Sequence, residues 1–131
     1  MPAISFDAND INRGKIVEPG NYVLEIGDLT EATSKNGDST NWVFENSKII
    51  QNADNGSVDF AGVPMAIRFN SKAKGFMIGF LAALSGEDVQ PGARYELKQA
   101  EGKKIIAKIV NEAYEGRIIN KIDHVYRHFA G

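Results

Sequence analysis

One helical stretch, set after three strand-like runs and before two more, constrains this chain more than any other feature. Within Ser71 to Ser85, the residues Ala73, Phe76, Met77, Phe80, Leu81 and Leu84 recur at helical spacing and make one apolar face. Ser71 is placed to cap the start, and Ser85-Gly86 to end it. Gly75 and Gly79 each weaken a helix by ~1 kcal/mol, so packing against the rest of the chain has to hold it.

The runs around this helix alternate with period two. Pro19-Gly20 is a turn signal, and Asn21 to Leu29 reads as strand 1 with Tyr22, Leu24 and Ile26 on one face. Ser34 to Asp38 is a loop holding the hairpin signal Asn36-Gly37. Asn41 to Gln51 reads as strand 2, bulged near Asn46-Ser47, with Trp42 and Phe44 on one face and Val43 and Glu45 on the other. Asn52 to Gly62 is a second loop, and Val63 to Phe69 is strand 3, with Pro64 at its entrance or on an edge. Beyond the helix, Arg94 to Gln99 alternates like a short extra strand. Lys103 to Ala113 and Arg117 to Arg127 read as strands 4 and 5, joined tightly by Tyr114-Glu115-Gly116. Residues 1–18 read as a tail able to lie across the domain, 19–127 as a single domain and 128–131 as a short second tail. The expected fold is mainly β: a five-stranded OB-fold-like Greek-key barrel with one helix between strands 3 and 4. Such barrels bind single-stranded nucleic acid or oligosaccharide, but the fold alone names no ligand.

Composition removes several classes of function. A chain of 131 residues suits one domain. The absence of cysteine excludes disulfides and thiolate metal sites, and it suits a reducing cytosol. No apolar run approaches the roughly 20 residues that span a bilayer, and Met1 to Gly14 lacks the basic start and apolar centre of a secretory signal. A cytoplasmic protein without membrane contact is expected. No Gly-x-Ser-x-Gly elbow or phosphate-loop pattern occurs. His124 and His128 are four apart, but they fall at a strand end rather than on a helix. Asp54-Asn55-Gly56 reads as a turn, because the other ligands of a calcium loop are missing. No enzyme activity, cofactor or metal is expected.

The charge is lopsided. Residues 1–62 hold four Lys/Arg against ten Asp/Glu, a net of −6, whereas 63–131 hold eleven against seven, a net of +4. Single-strand binders combine cations that follow phosphates with aromatic faces on which bases stack. Trp42 and Phe44 on strand 2, Tyr114 at the hairpin tip and Tyr126 near its end supply the faces. Arg68, Lys72 and Lys74 gather at the junction of strand 3 and the helix, and Arg117, Lys121 and Arg127 lie along strand 5. The competing reading puts Trp42 and Phe44 in the core, where aromatics mostly are, and makes Lys103 and Lys104 a solvated edge guard.

Several motifs carry a family resemblance. They are Pro19-Gly20-x-Tyr22, then Trp42 and Phe44, then Leu81-x-x-Leu84, Gly102-Lys103 with Ile105-x-Ala107-x-Ile109, and Tyr114-x-Gly116-Arg117-x-x-Asn120-x-Ile122. Over residues 19–127 the chain resembles the bacteriophage-encoded single-stranded DNA-binding proteins of OB-fold type. The resemblance implies non-sequence-specific binding of single-stranded DNA in phage replication and recombination, in the bacterial host's cytoplasm. Bases would stack on Trp42, Phe44 and Tyr114, and phosphates would pair with Arg68, Lys72, Lys74, Arg117 and Lys121. Self-association and contact with phage replication proteins are left open. The sequence ends Arg127-His128-Phe129-Ala130-Gly131, without the acidic docking tail of many single-strand binders. The alternatives are a phage structural or protein-protein assembly module on the same barrel, and an oligosaccharide binder.

Overall fold

Two bends in the backbone decide how the strands are shared. The run after Pro19 starts as β1 (Gly20–Glu25), turns at Ile26-Gly27 and continues as β2 (Asp28–Thr33). The next run does the same: β3 (Thr40–Glu45) gives way at Asn46-Ser47 to β4 (Lys48–Asn52). Asn46 sits at φ 63°, a left-handed conformation that breaks the ladder at the expected bulge. β5 (Ile67–Asn70), α1 (Gly75–Ser85), a 3-10 turn at Leu97–Ala100, β6 (Lys104–Tyr114) and β7 (Arg117–His128) complete the order. The computed structural model describes residues 15–35 and 37–128, together with Ala3 and Ser5, and His128 as backbone only.

The bent runs feed two antiparallel sheets. One has the order β4-β1-β6-β7 and the other β2-β3-β5. The corner they share is built by Gly27 and Ser47. The Gly27 N–H donates to Ser47 Oγ at 2.9 Å, and the buried Ser47 hydroxyl donates to the Phe44 carbonyl at 2.8 Å. A Cβ on Gly27 would lie 1.8 Å from the Glu45 carbonyl oxygen, so no other residue fits there.

Between the sheets lies one core. Tyr22, Leu24 and Ile26 enter it as the alternation requires, and Ile105, Ala107 and Ile109 of β6 face them. Val63, Met65, Ile67 and Phe69 are buried, while Pro64, Ala66 and Arg68 are exposed. α1 plugs one end: the Phe80 ring lies 5.7 Å from Phe44 and 5.0 Å from Phe69. Phe80 is fully buried, and Phe76, Met77, Leu81 and Leu84 pack against the core from the same face.

Three expectations need correction. First, among the described residues the sheets do not close into a five-stranded barrel, because no ladder joins β5 to β7. Pro64 supplies a reason. The Ile49 N–H donates to the Val63 carbonyl at 2.9 Å, and the Met65 N–H donates to the Ser47 carbonyl at 2.8 Å. The flanking groups therefore face β4, and the backbone of Pro64 faces the seam, where it has no N–H to give. Second, the helix begins at Gly75 rather than after Ser71. The Ser71 hydroxyl is occupied, accepting the Thr40 N–H at 2.9 Å and tying this segment to β3. Third, the expected strand Arg94 to Gln99 is absent, and Leu97–Ala100 forms a 3-10 turn instead. Val17, in the segment read as a tail across the domain, is 1% exposed and belongs to the core.

Candidate nucleic-acid interface

The unpaired seam between β5 and β7 forms a groove. Pro64, Ala66 and Arg68 stand on one wall, Asn120, Lys121 and Asp123 on the other, with Phe76 of α1 also lining it. A second hollow shares Pro64 and Asn120 and carries the groove on to Lys15, Ile16, Arg117 and Ile118. Four cations thus line one continuous track. Arg68 and Arg117 make no ion pair among the described residues. Lys121 reaches Glu112 Oε1 at 3.4 Å, an exposed pair of the kind that contributes little. Lys15 donates to the Asp59 carbonyl at 2.9 Å and sits 5.2 Å from the centre of the Phe60 ring.

The far end of the track is the β6–β7 hairpin. Glu115 and Gly116 form its two-residue tip at φ 48° and 78°, the positive pair that a tight hairpin turn requires. Tyr114 and Arg117 face each other across this turn, and Tyr114 is 52% exposed. A ring and a guanidinium side by side match the needs of a base and its phosphate.

The remaining expected site residues separate. Phe44 is fully buried and packs edge-on against Phe69 at 6.1 Å, which removes it from any stacking surface. The cause is strand parity: Trp42 and Phe44 do share a face, and that face is the inner one. The outer face of β3 presents Asn41, Val43 and Glu45, with Val43 opposite Arg68. Trp42 is half-buried, and with Lys74, Met77, Leu81 and Tyr95 it lines a separate recess beside α1. Lys72 is held by Asp38 across the β2–β3 loop, and Ser34 Oγ donates to the same carboxylate at 3.2 Å. Hydrogen bonding from Lys72, then from Ser34, holds the Asp38 carboxyl below its usual range. Lys72 is therefore already engaged. Elsewhere, burial first and the Glu18 charge second push the Tyr22 phenol up; its hydroxyl donates to the Glu18 carbonyl at 2.6 Å.

Arg68, Lys121, Arg117 and Tyr114 are brought to one track, whereas Trp42 and Lys74 lie in the recess. Lys15 and Asn120 belong to the track but were not among the expected contacts. Asn120 had a signal, its place in Tyr114-x-Gly116-Arg117-x-x-Asn120; Lys15 had none, since it reaches the site only through the folded path of residues 15–17. Among the described residues, no group of acidic residues and histidines is arranged to hold a metal ion. No described helix is long and apolar enough to cross a membrane. No family model matches this sequence, and no curated protein matches it.

Proposed function

We propose that this protein binds single-stranded DNA without sequence preference, in phage DNA replication or recombination within a bacterial host. One observation carries the reading: a groove with Arg68 and Lys121 on opposite walls runs on to Arg117 and the exposed ring of Tyr114. Phosphates would follow the cations, and a base would stack on Tyr114 for ~1–3 kcal/mol. The resemblance of the sequence to phage single-strand binders supports the biological setting. β1/β2 and β3/β4 would be the two bent first strands of an OB-type barrel, and the seam the place where its third and fifth strands meet.

Oligo-dT titrated against the protein at rising salt tests this, with binding followed by anisotropy of the labelled strand. Binding should weaken as salt rises, with a slope of about −0.7 per phosphate contacted. Absence of binding at low salt, or binding indifferent to salt, sinks the proposal.

The unpaired backbone along β5 and β7 favours one second reading, an assembly module that docks through those edges. It predicts a stable oligomer with no affinity for oligonucleotide, which light scattering with and without oligo-dT distinguishes.

A further inference from the structure

We propose that the outer face of the β6–β7 ribbon is a second contact for the same single strand, made by His124, Tyr126, Lys108 and Arg127. This rests on the nucleic-acid reading above and extends the length of strand engaged.

The register brings these residues to one face. Lys108 lies directly opposite His124, and Arg127 lies opposite Ile106, two residues before Lys108 on the same side of β6. Ladder irregularities interrupt β7 here, between the partners of Ile106 and Ala107 and again between those of Lys108 and Ile109. They leave Tyr126 and Asp123 without cross-strand partners, and Tyr126 swings beside His124 with ring centres 4.8 Å apart and nearly perpendicular. Tyr126 is 45% exposed, and His124, Lys108 and Arg127 are exposed as well.

This face is built differently from its surroundings. Glu25, opposite Lys104 across β1–β6, pairs with Lys48 at 3.8 Å, and Lys121 meets Glu112 at 3.4 Å. Lys108 instead lies opposite the neutral Asn21 on β1, and neither it nor Arg127 makes an ion pair among the described residues. Two cations that make no ion pair among the described residues flank two adjoining rings, which is the pairing that single strands need and that a merely solvated face does not. Position argues the same way. Lys121 lines the groove, and Tyr126 follows it by five residues on the same strand, roughly 16 Å at strand rise. A strand leaving the groove along β7 meets this patch next.

The test compares labelled oligo-dT of about 8 and about 20 nucleotides, within and beyond the span of one such module. The wild type, Lys108→Glu/Arg127→Glu and Tyr126→Ala are titrated against both, and Lys108→Gln/Arg127→Gln serves as a milder second variant should charge reversal disturb folding. Binding of the short strand should change less than about twofold, while the long strand loses about tenfold and its salt slope falls by about 1.4, for two contacts at 0.7 each. Equal affinity of variants and wild type for the long strand overturns the patch and leaves the groove standing. An equal loss at both lengths overturns it as a separate contact. No binding of either length by the wild type overturns patch and groove together.

Discussion

Asn120 meets the Val17 segment as one strand meets another. Its Oδ1 accepts the Val17 N–H at 3.0 Å, and its Nδ2 donates to the Lys15 carbonyl at 2.9 Å. Asn111, directly opposite on β6, adds a bond from its Nδ2 to the Val17 carbonyl at 3.1 Å. Two amide side chains thus do the work of a ladder, and they hold Lys15 at the groove. Replacing Asn120 with Ala leaves a partly buried N–H and C=O without partners, which costs about 1–3 kcal/mol. Urea unfolding should show that loss; a change under 0.5 kcal/mol would mean the strap is incidental.

Gly27→Ala is expected to be a severely damaging single-methyl change. Its Cβ would overlap the Glu45 carbonyl and press on the Asn46 and Ser47 backbone, none of which is a flexible side-chain end. The expected cost exceeds about 4 kcal/mol, in the exceptional class. Ser47→Ala, which only unties the Gly27 N–H, should cost about 1–3 kcal/mol. If thermal melting places the two variants level, the corner is held by something other than close approach.

Phe44 and Tyr114 should answer oppositely to the same truncation. Phe44→Ala removes a ring from the packed cluster with Phe69 and Phe80, for about 3–5 kcal/mol of stability. Tyr114→Ala should leave melting nearly unchanged and weaken oligo-dT binding by about 1–3 kcal/mol. Paired melting and titration curves on both variants check this, and a stability loss at Tyr114 would count against its role in binding.

Asp38 sets a pH and charge prediction. Its folded pKa is depressed by Lys72, so its contribution is fully present above the ordinary value of about 4 and is lost as pH falls through the lowered one. Asp38→Asn should therefore flatten the acid limb of the stability profile. The same change frees Lys72, and the salt slope of oligo-dT binding should steepen by about 0.7, one added phosphate contact. An unchanged slope would show that Lys72 lies off the path of the strand.

What was legible in the sequence was what local pattern controls. The break at Asn46-Ser47, the place of the tight hairpin and the apolar face of α1 follow from period and turn chemistry, whereas the run from Val63 pairs as a strand only from Ile67 and the joint read as Tyr114-Glu115-Gly116 is a two-residue tip. What was not legible depended on which side a face turns. Trp42 and Phe44 alternate correctly, but period two does not say whether their face is the inner one; that was decided by the helix aromatics Phe76 and Phe80 arriving from residues far along the chain. The helix start was misplaced because Ser71, a good cap in isolation, is drawn to Thr40 by tertiary structure. The site split for the same reason: Lys72 and Lys74 are neighbours in sequence, yet one turns to Asp38 and the other to the recess at Trp42.

The seam also fixes how the molecule can move. The two sheets are bound along the Gly27–Ser47 spine but carry no ladder between β5 and β7, like the covers of a book. The width of the groove is therefore a soft coordinate: among the described residues, opening it costs side-chain packing, that of Phe76 included, and breaks no backbone hydrogen bond. A polymer lying between Arg68 and Lys121 would set that aperture to its own thickness, so one chain could grip strands of any base composition with the same contacts.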